Sequence, residues 1–219
     1  PGELGPDFVG KVRNIRFKGA CAKVHLAVGE LPNFTCVTGN GSHLSGVISI
    51  SPSLEYLERA YDDAKYGNSS EQPYLEVSIP SVADPSVAPA GKHLVSIVVQ
   101  YAPYALEEGG WDDRRREALG DTVVRTLCEY APNVASSVEQ RHVMTPLDLE
   151  QTFGLTEGNI YHGEMMLDQL FFMRPVPGYS RYRTPIGNLY MCGAGVHPGG
   201  GVTGVPGFNA AREVLRDSR

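Results

Sequence analysis

The feature that most constrains this chain is a crowd of glycines near its end. Seven glycines fall between Gly193 and Gly207, inside the run Asn188-Leu-Tyr-Met-Cys-Gly-Ala-Gly-Val-His-Pro-Gly-Gly-Gly-Val-Thr-Gly-Val-Pro-Gly-Phe-Asn-Ala-Ala-Arg-Glu-Val-Leu215. Such a segment has too few side chains to build a core. What it can do is let backbone approach something closely, because no Cβ stands in the way. Leu189–Cys192 reads as a buried strand before it. Val205–Leu215 reads as a helix after it, with Pro206 in the first turn and Phe208, Ala211 and Leu215 turned inward. Strand, glycine loop, helix is the arrangement in which N–H groups and the positive end of a helix dipole meet an anion. The plainer reading is a structural turn.

Gly199-x-Gly201-x-x-Gly204 matches the letters of the dinucleotide fingerprint. The full fingerprint needs a further strand with an acidic residue ~20 positions on, within a ~30-residue βαβ unit. The chain stops at Arg219, too soon for either. The loop is therefore expected to contact a ligand whose main binding unit lies elsewhere.

The rest of the chain shows strands and helices in irregular order. Ala22–Val28, Leu44–Ile50, Tyr74–Ile79, Leu94–Tyr101 and Val138–Met144 read as strands. Ser51-Pro52 looks like the start of a helix running to Gly67, and 81–92 like a loop. A long helix spans roughly Asp112–Tyr130. Thr145-Pro-Leu-Asp148 is a capping signature for a short helix ending near Gly154. This order predicts α+β architecture with a mixed β-sheet and flanking helices.

The formal net charge of -6 argues against nucleic acid as a partner, since phosphate binding needs a concentrated basic surface. The one basic run, Arg114-Arg-Arg116, follows Asp112 and Asp113 on a helix and reads as a solvated face. The six histidines show no metal-ligand spacing, so no metal is expected. No G-x-S-x-G elbow is present for serine hydrolysis. The four cysteines make no C-x-x-C pair and read as reduced thiols. No apolar run approaches a membrane span in length.

The run Gly193-Ala-Gly-Val-His-Pro-Gly-Gly-Gly-Val-Thr-Gly-Val-Pro-Gly207 resembles the C-terminal flavin-contacting motif of the phytoene desaturase and carotenoid isomerase-like flavoproteins. An ordered set of shorter motifs is similar to the phytoene-dehydrogenase-like branch. Among them are Leu31-Pro-Asn-Phe34, Ala88-Pro-Ala-Gly-Lys-His93, Gln100-Tyr-Ala-Pro-Tyr104, Thr145-Pro-Leu-Asp-Leu-Glu150 and Gly158-Asn-Ile-Tyr-His-Gly-Glu164. The resemblance covers nearly the whole chain. It implies a C-terminal part of an FAD-dependent oxidoreductase. Residues 8–185 would be a substrate-binding domain, and 186–219 a strand–loop–helix returning to the FAD-binding domain. The N-terminal segment that grips the ADP half of FAD would lie outside this chain, and FAD binding by the chain alone is not assured.

The same resemblance implies that Gly193, Ala194 and Gly195 pass near the pyrophosphate and ribityl region, and that Gly200, Gly201, Val202, Gly204 and Val205 lie beside the flavin ring. His197 is either a flavin contact or a loop residue bonded to backbone. His162 and Glu164 are weak catalytic candidates: they line a substrate pocket or form a local hydrogen-bonded pair. Leu170–Met173 is a substrate wall or, by default, core packing. Arg174-Pro175 and Tyr179–Arg183 are surface loop or cofactor cradle.

The implied chemistry is hydride transfer from a carbon centre of an apolar small molecule to flavin, by desaturation or isomerisation. The alternatives are an amine or amino-acid oxidase on the same scaffold, and a non-catalytic binding or scaffold fragment. A chain lacking its other half is also expected to expose apolar surface and to self-associate.

Overall fold

The computed structural model describes residues 2–218. In chain order the regular elements are α1 (Pro6–Arg13), β1 (Cys21–Val28), β2 (Ile48–Ile50), α2 (Leu54–Lys65), β3 (Tyr74–Ser78), α3 (Pro80–Ala83), β4 (His93–Gln100), α4 (Asp113–Tyr130), α5 (Val134–Ser137), β5 (Val138–Met144), α6 (Pro146–Phe153) and α7 (Val205–Asp217). They fall into two compact units. One is Gly19–Gly158. The other is made from both ends of the chain, up to Lys18 and from Asn159 onward.

The Gly19–Gly158 unit is built on a five-stranded sheet in the order β2-β3-β4-β1-β5. Strict alternation drives β1: Ala22, Val24, Leu26 and Val28 are buried, while Cys21, Lys23, His25 and Ala27 are half-buried on the opposite face. The register places Val24 opposite Ile97 and Leu26 opposite Val95, and β3 adds Val77 opposite Ile97, so buried residues share one face. Leu119, Val123 and Leu127 of α4 belong to the core on that face. Each such side chain contributes about 1.5–3 kcal/mol on burial. The other face carries Leu94, Val98, Ala27 and Met144 interleaved with Lys23, His25 and Glu76. Burial depresses the pKa of His25, with the neighbouring Lys23 and His142 charges acting in the same direction.

The α+β class holds, but the sheet is not mixed: every neighbouring pair is antiparallel. A helix between two strands suggests a parallel crossover only if it carries the chain to the far end of the sheet. Here α2 advances about 18 Å, and the irregular stretch 66–73 brings the chain back, so β3 runs against β2. Two local readings also shift. Leu44 lies in a 3₁₀ turn, Ser42–Ser45, leaving only Ile48–Ile50 as strand. Ser53, not Ser51, caps α2, its hydroxyl accepting the Tyr56 N–H. The capping box of α6 forms as the sequence predicts, with Thr145 and Asp148 reciprocally bonded and Gly154 closing the helix in the left-handed region.

In the unit made from the chain ends, α7 packs through Pro206 and Ala210, and Ala210 joins Tyr182, Val196 and Met191 in a small apolar cluster. Phe208 and Leu215 do not face inward: they are 64% and 65% exposed. The expected strand Leu189–Cys192 is absent too. A single bridge, Arg183 with Tyr190, is all the pairing that segment finds, and Leu189 is exposed. Strand conformation needs a partner edge, and the described residues of this unit supply none.

The far end of α7 is fixed electrostatically. Arg183 forks onto Asp217 at 2.7 Å through Nε and Nη2 and donates its Nη1 to Glu213, while the Tyr190 hydroxyl donates to Asp217 at 2.6 Å. The Arg183 bonds come first, then Tyr190, and together they hold the Asp217 carboxyl down to about 2 from an ordinary 3.8. A depressed carboxylate pKa contributes stability that is complete above the unfolded value and lost as pH falls through the folded one. Docking of the α7 end should therefore persist at pH 5 and fail between about 4 and 2. Carbonyl-carbon NMR of Asp217, with the Tyr190 ring resonances as reporters, would show a midpoint near 2. A midpoint near 3.8 would mean that the fork does not form in solution.

Candidate functional site

The glycine loop is organised from below by one turn and one cation. Asn159 is buried. Its amide donates to the Phe17 carbonyl, and its side-chain oxygen accepts the N–H groups of Tyr161 at 2.9 Å and Gly163 at 3.2 Å. That knot fixes Tyr161–Glu164 beneath the loop. A Cβ on Gly200 would lie 3.0 Å from the Tyr161 ring, and one on Gly195 would lie 3.4 Å from His162 Cβ. At Gly200 a side chain would press on the Tyr161 ring, while at Gly195 it would make an ordinary contact.

Elsewhere the loop opens outward. A Cβ on Gly193 or Gly204 would meet nothing within 4 Å, and one on Gly201 only Thr203. Gly193, Gly201 and Gly204 all have positive φ. Among the described residues, the N–H groups of Gly195, Gly199, Gly200 and Gly201 find no hydrogen-bond acceptor; within the loop, Val196 N–H bonds the Gly193 carbonyl and Val205 N–H the Thr203 hydroxyl. Val202 is fully exposed at a positive φ of 55°, a costly conformation for a β-branched residue. A row of unused donors, an open backbone face and a strained exposed valine sit together just before the N-terminus of α7.

His197 lies within this loop. The Tyr182 hydroxyl donates to its carbonyl at 3.0 Å and accepts from the Asn209 amide at 2.9 Å, which ties loop to helix. The His197 ring nitrogen Nδ1 is buried and has no hydrogen-bond partner. A buried ring nitrogen without a partner is expensive.

The other candidates fall beneath the loop. His162 is exposed, holds a positive φ of 54° and lies against Gly195. The local His162–Glu164 pair does not form, because Glu164 takes the Arg16 guanidinium at 3.2 Å. Core packing is not the role of Phe171 and Phe172, which are 53% and 69% exposed; Met166 and Leu167 are exposed beside them.

Arg174 is not in a surface loop. It is 3% exposed and its guanidinium reaches the carbonyls of Gln169, Tyr161, Ala194, Gly163 and Glu164. Burial lowers its pKa, yet a guanidinium stays charged. The sequence signal for it is a single cation inside Leu170-Phe-Phe-Met-Arg-Pro-Val176, with no acid in the run. Asn159 and Tyr182 leave no comparable signal, since turn organisers and loop anchors are set by tertiary contacts.

No family model matches the chain. It is 44% identical over 217 residues to pyridine nucleotide-disulfide oxidoreductase domain-containing protein 2 of Rattus norvegicus, covering 96% of this chain and 37% of that protein. It is 30% identical over 171 residues to a limonene dehydrogenase component of Castellaniella defragrans, covering 74% and 31% respectively. With phytoene desaturase of Fusarium fujikuroi the identity is 28% over 172 residues, covering 67% and 29%. The chain thus spans well under half the length of each of these relatives. Over nearly its whole length it is similar to part of pyridine nucleotide-disulfide oxidoreductase domain-containing protein 2, and more distantly to part of phytoene desaturase.

Proposed function

We propose that this chain is the substrate-domain and loop-bearing part of an FAD-dependent oxidoreductase acting on an apolar small molecule. The observation that carries the reading is the open face of the glycine loop, with the unused N–H groups of Gly195, Gly199, Gly200 and Gly201 and the orphaned His197 nitrogen. These residues fit FAD: bare backbone suits a flat ring or a pyrophosphate, and the N-terminal turn of α7 favours negative charge.

When bound, FAD supplies the two-electron acceptor for a hydride leaving a carbon centre. The protein's share is orientation and charge. Loop N–H groups and the α7 terminus stabilise negative charge in fixed positions, which costs no reorganisation. Gly193, Ala194 and Gly195 are assigned to the pyrophosphate and ribityl side, and Gly201, Val202, Gly204 and Val205 to the ring side. Gly200, packed on Tyr161, contributes its N–H rather than its open face. The exposed Met166, Leu167, Phe171 and Phe172 would exclude water. The names of two relatives refer to hydrocarbons, limonene and phytoene, and support an apolar substrate. The chain by itself is expected to be inactive, since part of the cofactor's contacts would come from a segment outside it.

Flavin fluorescence quenching and the absorbance of dialysed protein test the reading. Stoichiometric FAD binding, by the chain alone or once the N-terminal segment of a relative is added, is the expected result. Absence of binding in both formats would defeat it and leave a non-catalytic binding role.

A further inference from the structure

We infer that Arg174 is the positioning residue of the glycine loop: it holds the Ala194 carbonyl from within and so turns the Gly195 N–H outward, toward a phosphate of the ligand. The inference rests on the flavin reading for the ligand's identity, and on the structure alone for the aim of the loop.

The guanidinium donates from Nε to Gln169 carbonyl at 2.7 Å. Nη1 reaches the Tyr161 carbonyl at 2.6 Å and the Ala194 carbonyl at 2.7 Å. Nη2 reaches the Gly163 carbonyl at 2.7 Å and the Glu164 carbonyl at 3.2 Å. A guanidinium has five N–H donors, so all are engaged and none is left for a ligand. Arg174 therefore works through the loop, not on the reacting atoms.

Its charge is unneutralised. Among the described residues no carboxylate pairs with it; Glu164 and Asp168 both pair with Arg16. Buried charges are normally paired, and a well-packed apolar side chain would usually serve a fold as well or better. A lone buried cation therefore points to a task beyond packing. The task follows from peptide geometry. In a planar trans peptide the C=O of one residue and the N–H of the next point in opposite directions. With the Ala194 carbonyl held by Nη1, the Gly195 N–H is directed away from Arg174, and it meets no acceptor among the described residues. An anion accepted there would have an aimed donor in front of it and a fixed positive charge behind that donor, the combination that strengthens phosphate binding.

The test titrates ¹⁵N-labelled chain with inorganic pyrophosphate, FAD and riboflavin, following the Gly195 amide. Wild type, Arg174→Lys and Arg174→Met are compared. The expected result is that pyrophosphate and FAD shift the Gly195 amide in wild type. Arg174→Met should weaken both by roughly tenfold or more, the size of one charge-assisted hydrogen bond. Riboflavin, which has no phosphate, should be unaffected, and Arg174→Lys should recover part of the loss through its charge. Unchanged pyrophosphate and FAD affinity in Arg174→Met would overturn the inference. So would an equal loss of riboflavin, which would mark a merely structural role. If circular dichroism shows that Arg174→Met does not fold, the same comparison is decided on Arg174→Lys. Each titration is run on the chain alone and with the N-terminal segment of a relative added. Pyrophosphate bound at Gly195 with no FAD binding in either format would sink the flavin reading and keep this one. Flavin bound with no pyrophosphate response at Gly195 would do the reverse, and a wild type that binds none of the three in either format would overturn both.

Discussion

Gly158→Ala should lower the melting temperature of this chain by roughly 10 °C. Gly158 sits at φ 66°, where an L side chain is strained, and an added Cβ would lie 2.6 Å from Pro146 Cα and 2.7 Å from Pro146 C. Neither neighbour can give way. Pro146 is the first residue of α6, and the reciprocal Thr145–Asp148 box fixes that helix start. Left-handed backbone costs an L residue about 1–2 kcal/mol, and overpacking adds ~1–3 kcal/mol. About 4 kcal/mol at this chain length corresponds to that shift. Gly154→Ala is the comparison: its φ is 68°, and an added Cβ would meet nothing within 4 Å. It should cost only the backbone part, about 1–2 kcal/mol. Thermal unfolding followed by circular dichroism separates the two. Equal losses would mean that the close approach to Pro146 is not real.

The second large effect concerns binding. Gly201→Leu should leave the chain folded: at φ 130° a side chain strains the backbone locally, but Gly201 is exposed and its near neighbour is Thr203. The new side chain would occupy the face that the loop offers outward. Forcing a ligand and a side chain into one space costs ~1–3 kcal/mol, so FAD affinity should fall by up to roughly 100-fold. Fluorescence titration of wild type and variant, with the added N-terminal segment if the chain alone binds weakly, gives the ratio. Equal affinities would remove Gly201 from the cofactor-facing set, whatever the fate of its neighbours.

What could be read from the sequence depended on whether a residue's environment is local. Alternation in β1, the length of α4 and the Thr145–Asp148 box are written within a few residues of each other, and all appear where the pattern puts them. Strand direction is not local. The stretch 66–73 reverses the path after α2, and no periodicity records that. Leu189–Cys192 is apolar enough for a strand, but a strand needs an edge to bond, and only one bridge is found. The faces of α7 depart from the pattern for the same reason: apolarity at helical spacing says that Phe208 and Leu215 can be buried, not that a covering surface is at hand. The glycine loop is legible as an irregular segment because a run without side chains is itself the sequence signal. Arg174 is not, since one arginine in an apolar run looks alike whether it escapes to solvent or is drawn inward by carbonyls.

The two ends of the sheet unit adjoin. A Cβ on Gly19 would come within 2.9 Å of Glu157 C and 3.1 Å of Gly158 C, and just beyond Gly19 the Ala20 carbonyl accepts the Ala102 N–H. Chain enters and leaves this unit through one narrow doorway. In evolutionary terms that makes it a cassette. Insertions, exchanges or wholesale remodelling between residues 19 and 158 need not alter the spacing of the flanking segments, so this unit can diversify while the glycine loop is inherited unchanged.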